Sequence, residues 1–442
     1  MAKQVIFAVT LLITILAFGW TIRRLYSYFR ITKPAFPVKD FRKRVIVTLN
    51  VALGQTKIFR RPVIGLMHAL VWWGFVVILF GSIEMVIDGL TGFERSLSVS
   101  GILYDFLIAT GDIFSVIIGL MIIAFLVRRL FMKIKRFSGL EMKHLSHLDA
   151  NVSLSMILLL MVSLLGMNTF YVSGINLSGE AMKGYFPVSI FISQLFAGVS
   201  ANALHVWHEI AWWTHILLIF IFANYLPYSK HFHVFMSVPN VFLSNLDPLG
   251  KMRTMEDITR EVKLMLNPET AYSASPSDDE AVERFGILDV EDINWKNYLD
   301  SLACTECGRC TAVCPANLTG KKLSPRKIIM DVRARMKEKG PGLVKNGKEF
   351  SDGKSLVGNR ITEEELWACT TCNACAQECP VNIHQPSLIL EMRRYLVMEK
   401  SAAPGELNQI FANIENNGAP WQFSQDDRML WAEDLYINQP AG

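Results

Sequence analysis

All eight cysteines of the sequence fall between Cys304 and Cys379. They form two runs, Cys304-Thr-Glu-Cys307-Gly-Arg-Cys310-Thr-Ala-Val-Cys314-Pro315 and Cys369-Thr-Thr-Cys372-Asn-Ala-Cys375-Ala-Gln-Glu-Cys379-Pro380. Each run has the spacing C-x2-C-x2-C-x3-C-P. Three closely spaced thiolates can wrap three irons of a cubane, so two such runs point to two clusters. Zinc motifs instead pair two Cys-x-x-Cys groups across a longer gap. No thiol is left for a disulfide, which indicates a reducing compartment for this part of the chain.

The spacing resembles that of two-cluster bacterial ferredoxins. That resemblance implies crossed ligation, with the fourth cysteine of each run serving the other cluster. One [4Fe–4S] cluster is then assigned to Cys304, Cys307, Cys310 and Cys379, the other to Cys369, Cys372, Cys375 and Cys314. The 54 residues between the runs exceed a minimal ferredoxin. A helix is expected from Ser324 to Lys339, with Ile328, Ile329, Val332 and Met336 on one stripe. A Gly/Lys-rich surface loop should follow at 340–358, and a matching helix from Pro386 to Met398. The arrangement is similar to the helical two-cluster domains of heterodisulfide reductase and succinate dehydrogenase iron–sulfur subunits, whose role is a short electron wire.

Histidines supply the second chemistry. His68 and His215 lie inside long apolar stretches, and His233 lies just beyond one. Two imidazoles from facing helices can clamp a haem iron without a covalent Cys-x-x-Cys-His attachment, which this chain lacks. The plainer reading is that such histidines bond neighbouring helices. The 18-residue step from His215 to His233 is five helical turns, about 27 Å if the helix runs straight through Pro227. The segment His215-Ile-Leu-Leu-Ile-Phe-Ile-Phe-Ala-Asn-Tyr-Leu-Pro-Tyr-Ser-Lys-His-Phe-His233, followed by Ser237-Val238-Pro239, resembles the last helix of the cytochrome b subunit of respiratory nitrate reductase. The resemblance implies haems stacked across the membrane, each between a histidine of the second helix and one of the fifth. His68 matches the cytoplasm-side ligand, and its implied partner is His233. The other expected histidine falls at Ile78, a departure from the pattern. One haem b is expected, with a second left open. His215 is either an alternative partner of His68 or the holder of a second haem whose other ligand is unidentified.

Asp112, His205, His208 and Glu209 lie toward the outer side. An intramembrane carboxylate is costly and by default a functional candidate. Asp112, His208 and Glu209 are therefore candidates for proton uptake at a quinol site, against the plainer reading that they cap helices at a wet interface.

These groups need a scaffold, and composition describes it. Hydrophobic residues make up 51% of the 442-residue chain and charged ones 19%. Five stretches reach the roughly 20 apolar residues of a membrane-spanning helix, near 5–22, 63–87, 106–127, 152–175 and 204–226. Arg23 to Arg61 and Arg128 to Lys143 are rich in Lys and Arg, whereas the loops after the second and fourth spans offer Arg95 and Lys183. Basic loops stay inside, which puts the N-terminus outside and the cysteine runs in the cytoplasm. A multi-pass protein of the cytoplasmic (inner) membrane, in contact with membrane lipid, is expected. The net charge of +4 is too small to suggest nucleic acid. The expected fold is mainly α: a five-helix transmembrane cytochrome b bundle (1–236), a membrane-surface segment and linker (237–295, with Pro268, Pro276 and an acidic run from Asp278), a helical two-[4Fe–4S] ferredoxin-like domain (296–400) and a tail (401–442).

The tail, from Asn413 through Trp421 to Trp431-Ala432, resembles a segment of membrane-bound heterodisulfide-reductase-like proteins. In those proteins a domain with Cys-Cys-Gly motifs follows, and here the chain stops where it would begin. The resemblance implies a cytoplasmic partner protein bearing those motifs, docked on the tail, with an electron-transfer flavoprotein as the other candidate. The expected function is a membrane electron-transfer subunit of a quinone-linked oxidoreductase, with quinone as substrate. A redox-sensing or anchoring subunit without quinone turnover is the alternative.

Overall fold

The computed structural model describes residues 1–139, 141–267, 284–433 and 435, and among these the chain is helical with no β-strand. It begins with α1 (Ala2–Ile31), the short basic α2 (Phe41–Thr48), α3 (Pro62–Thr91), α4 (Ile102–Phe131), α5 (His144–Ser178), the short α6 (Pro187–Ser193) and α7 (Ala201–Tyr225). All of these except α2 and α6 are long and apolar enough to cross a membrane, so this is a multi-pass membrane protein. Each begins before the apolar stretch expected from sequence, and all but α7 also end beyond it. The 35 residues of α5 extend about 52 Å against roughly 30 Å of hydrocarbon, so its ends stand clear of the lipid.

Local chemistry fixes the boundaries. Pro62 opens α3, and Gly92 closes it in the left-handed region at φ 79°. Ser200 caps α7 by accepting from Ala203 N–H. Small residues bring the helices together. A Cβ on Gly89 would lie 2.6 Å from the Phe7 ring, which is fully buried between α1 and α3.

The fifth span does not continue straight through Pro227. The α-helix stops at Tyr225, a tight turn carries Leu226–Tyr228, and Ser229 is extended before α8 (His233–Phe242) begins. Proline removes a backbone donor, and Asp149 of α5 holds the corner by accepting from Lys230 N–H at 3.0 Å and Tyr225 O–H at 2.5 Å. The five-turn alignment of His215 with His233 is therefore corrected: His233 opens a separate helix. The segment expected at the membrane surface carries the end of α8 and a further helix, α9 (Glu256–Leu266). The linker features Pro268, Pro276 and the run from Asp278 lie outside the described residues.

The helix expected to end at Lys339 runs from Pro325 to Asn346, through Pro341. The loop expected from residue 340 therefore starts later. Packing overrides the helix-breaking residues: Gly340 lets the Tyr28 ring approach within 3.0 Å of where a Cβ would sit, and Phe350 folds over Gly342. The matching helix is Gln385–Arg394, extended by a wider turn to Glu399.

One hydrophobic core joins both halves. Leu25 and Tyr28 of α1 and Leu226 and Phe232 of the corner pack with Tyr298, Leu302, Ile328, Val332 and Met336 of the cysteine-bearing part. A backbone bridge adds to this, with Lys33 N–H donating to Ile293 C=O and Trp295 N–H to Lys33 C=O. Beneath it, Arg335 is fully buried and donates to Asp289, Asp352 and Lys354 C=O, while Lys339 also reaches Asp289. Arg335→Met leaves Asp289 with Lys339 alone. It should cost about 3 kcal/mol, the lower end for breaking a buried pair, read as a drop in thermal midpoint of the detergent-solubilised protein. An unchanged midpoint would show that the network adds nothing to stability.

Candidate functional site

The two cysteine runs fold alike because both use left-handed residues at equivalent places. Glu306 and Gly308 adopt positive φ in the first run, Thr371 and Asn373 in the second. Short helices Arg309–Ala312 and Ala374–Glu378 carry Cys310 and Cys375 and pack on each other. Pro315 starts a helical turn directly after Cys314. The groups interleave. The Cys379 thiol has Cys307 and Cys304 as its thiol neighbours, whereas Cys314 has Cys369 and Cys372. Cys375 in turn faces Cys369, Cys314 and Cys372.

Burial pushes these thiols up, Cys304 to about 11 and both Cys375 and Cys379 to about 12. For Cys375 and Cys379, neighbouring thiols add to the effect of burial. Bare thiolates are thus disfavoured, and cationic iron would supply the compensating charge. Arg136 fits the same reading. Its Nε and Nη1 are buried without a hydrogen-bond partner, and Cys307 is its leading counter-charge. An anionic cluster beside Cys307 would satisfy those N–H groups. Among the described residues no three ligating side chains close tightly enough for a single metal ion.

The cysteine groups are not equally placed. Cys372 is exposed, whereas Cys304, Cys310 and Cys379 are buried against the membrane part. Lys57 Nζ donates to Cys379 C=O at 3.3 Å, Arg309 Nη1 to Lys57 C=O at 3.0 Å and Arg60 Nη1 to Gln377 C=O at 2.6 Å. Glu306, between Cys304 and Cys307, is buried and pairs with Lys230 at 3.2 Å, with Arg333 and with Ser146 of α5. On the other flank Arg326 donates to Arg136 C=O at 2.7 Å, Ser138 C=O at 3.1 Å and Glu141 at 2.6 Å.

Directly across this contact lies His68. Its nearest charged neighbours are His233 and Arg309, so the structure brings His68 and His233 together. His68 Nδ1 faces Gln55 Oε1 at 3.1 Å and His233 Nδ1 faces Lys230 C=O at 3.2 Å, leaving both Nε2 atoms for a ligand. Burial pushes the His233 imidazole down, favouring the neutral form that binds metal. These features fit a bis-histidine haem. His215 is elsewhere, on α7, with Nδ1 facing Ser163 Oγ at 2.9 Å and Leu160 C=O at 3.0 Å.

A cavity of about 340 Å³ opens between the halves of α1, α3, α4, α5 and α7 that lie away from the cysteine runs, with Ile78, Glu84, Asp112, Tyr171, His208 and His215 on its wall. Asp112 and His208 thus share a wall, but Glu209 is not on it and pairs with Lys3 at 2.6 Å. Asp112 is fully buried and holds α6, accepting from Val188 N–H and Ser189 N–H at 2.9 Å each, Ser189 Oγ at 2.5 Å and Asn168 Nδ2 at 3.2 Å. Those contacts make it a structural anchor of the wall. Gln55, Arg136, Lys230, Glu306, Arg309 and Arg326 escaped sequence reasoning. Glu306 and Arg309 carried a local signal, a charged residue between two cysteines of the first run.

Residues 303–383 match the 4Fe-4S dicluster domain. The chain is 27% identical over 98% of its length to the probable iron-sulfur-binding oxidoreductase FadF of Bacillus subtilis, covering 61% of that protein. It is 27% identical over 88% of its length to the EtfAB:quinone oxidoreductase of Syntrophomonas wolfei, covering 54% of it. A shorter stretch, 24% of the chain, is 36% identical to a subunit of the ferredoxin/F(420)H(2)-dependent CoB-CoM heterodisulfide reductase of Methanosarcina acetivorans, covering 52% of that polypeptide. The chain thus spans little more than half the length of these curated relatives. They are iron–sulfur oxidoreductases or subunits of them, and the dicluster domain makes this chain an iron–sulfur electron-transfer protein of that kind. No solved structure matches.

The Arg326–Glu141 contact has a pH signature. Burial opposes the Glu141 charge, but Ser324 O–H and the Arg326 guanidinium outweigh it and hold the carboxyl below its usual range. A carboxyl depressed on folding stabilises above its ordinary value of about 4.3 and loses that contribution as pH falls through the lower folded value. Protection of the amides in 132–139, taken relative to their intrinsic exchange rates, should therefore be high at neutral pH and fall below that range. Arg326→Ala should remove it at every pH; unchanged protection in the variant would rule out a role in docking.

Proposed function

We propose that this chain carries single electrons between a cytoplasmic partner protein, two [4Fe–4S] clusters, haem b and a quinone at the outer cavity, as the membrane subunit of a quinone-linked oxidoreductase. The observation that carries this reading is the order of the sites. Exposed Cys372 with Cys369, Cys375 and Cys314 comes first, then Cys304, Cys307, Cys310 and Cys379 against the membrane part, then His68 with His233, and last the cavity. Clusters and haem supply one-electron steps when bound, and the residues between them supply rigidity. Lys57, Arg309 and Glu306 lock the inner cysteine group onto the loop before His68 and the corner before His233. Basic loops at 23–61 and 128–143 favour a cytoplasmic cluster domain with the N-terminus outside.

The quinone reading draws on the Syntrophomonas relative's printed activity, and that relative's EtfAB makes an electron-transfer flavoprotein one candidate partner. The similarity to part of a heterodisulfide reductase makes a protein bearing Cys-Cys-Gly motifs the other. Either would meet the exposed Cys372 face. Helix Gly405–Asn417 and the segment after it present Phe411, Ile414, Trp421, Phe423 and Trp431 to solvent, a surface for such a partner. The working division remains 1–236 for the membrane domain, 237–295 for the surface segment and linker, 296–400 for the cluster domain and 401–442 for docking.

Two measurements test the cofactor assignments. Cys379→Ala should damage the cluster held by Cys304, Cys307 and Cys310; loss of the other cluster by electron paramagnetic resonance would mean the ligation is not crossed. His68→Ala and His233→Ala should each abolish the b-type difference spectrum, because a six-coordinate low-spin iron needs both imidazoles. Retention of the full spectrum in His233→Ala refutes this pair.

A further inference from the structure

We propose that His215 is a quinone-binding group and not a haem ligand, so that the protein holds one haem, between His68 and His233, and one quinone with an oxygen against His215 Nε2. This rests on the quinone reading above and names the residue that would make the contact.

His215 is 2% exposed, yet its ring lies on the cavity wall. Its proton position follows from its neighbours. Ser163 Oγ donates to Leu160 C=O at 3.0 Å, so its hydroxyl oxygen and that carbonyl both face His215 Nδ1 as acceptors. Nδ1 therefore carries the hydrogen, and Nε2 presents a lone pair that makes no hydrogen bond among the described residues. With His215 on the cavity wall, that lone pair is open to a donor on a molecule in the cavity.

An iron is a poor candidate. It needs a second axial ligand across the cavity; α3 carries Ile78 and no histidine on that wall, so the remaining sulfur donors on α3 and α5 are the thioethers of Met85 and Met167. His208 is the other histidine on the wall, but it lies seven residues earlier on the same helix, about 10 Å along the axis, too far to share one iron with His215. The rest of the lining suits a flat, amphipathic ring. Ile78, Met85 and Trp212 supply apolar surface, while Glu84, Tyr171 and His208 supply polar groups. The volume of about 340 Å³ falls within the range of small-ligand sites. A hydroquinone O–H donates to the Nε2 lone pair, and a quinone carbonyl accepts from the same atom once it is protonated. Reduction adds two electrons and two protons and forms both O–H bonds. The electrons would come one at a time from haem and clusters held by this chain, and the two protons from water.

The test uses the full-length protein in detergent, with haem per chain measured alongside calorimetric binding of a short-tailed naphthoquinone. His215→Gln should keep the wild-type haem content and b-type spectrum while binding the naphthoquinone about tenfold more weakly, the effect of one hydrogen bond. Ile78→Phe, which keeps His215 but fills the cavity, should do the same. A fall in haem content in His215→Gln would make His215 an iron ligand and overturn the proposal. So would wild-type quinone affinity in that variant. Absence of naphthoquinone binding in the wild type would instead sink the quinone reading itself, and this inference with it.

Discussion

The contact between the membrane helices, at the end that carries Leu25 and Phe232, and the helix Pro325–Asn346 is the constraint on which the rest of the structure depends. Leu25, Tyr28, Leu226 and Phe232 leave both water and lipid there. Each such side chain contributes about 1.5–3 kcal/mol when buried, whereas the ion pairs beside them, Lys230–Glu306 and Arg326–Glu141, are themselves buried and must offset their own desolvation. Apolar burial therefore holds the halves together. The polar contacts around it determine which atoms meet, because a shift of one residue would leave Arg326, Glu306 and Lys230 buried without partners.

Those polar contacts give the basic loops a second use. Arg44, Lys57, Arg60 and Arg136 belong to the Lys/Arg-rich segments on which the proposed orientation rests. In the folded protein Arg44 donates to Phe242 C=O and Ser244 C=O, and Lys57 and Arg60 reach the second cysteine run. Arg136 instead offers its carbonyl to Arg326 and its guanidinium to Cys307. These basic residues thus form the seat for the cluster domain, and the seat lies beside His68.

The sequence made some of this legible and hid the rest for physical reasons. Periodicity and length gave five spans, because lipid allows few alternatives to a long apolar helix. The thiol runs were readable because cluster geometry demands fixed local spacing. Contacts across 76 to 190 residues, such as Lys230 with Glu306 or Arg326 with Arg136, left no local pattern. The His215–His233 alignment failed because Pro227 and Asp149 jointly break the helix, and only one of them is a neighbour in sequence. Asp112 stood out as a candidate because an intramembrane carboxylate is costly, but the N–H groups it accepts from belong to α6, 76 residues away, and left no local pattern.

The shared core also bears on how such proteins can be recombined. A ferredoxin-like unit that closed its own core could be moved between membrane anchors as a cassette. Here Tyr28 fills the hollow left by Gly340, and Phe29 lies edge-on to Tyr298 at 4.7 Å. A transplanted cluster domain would arrive with an open flank and stick to itself. The boundary that matters for inheritance and for engineering therefore runs through the membrane helices, and the first span travels with the clusters.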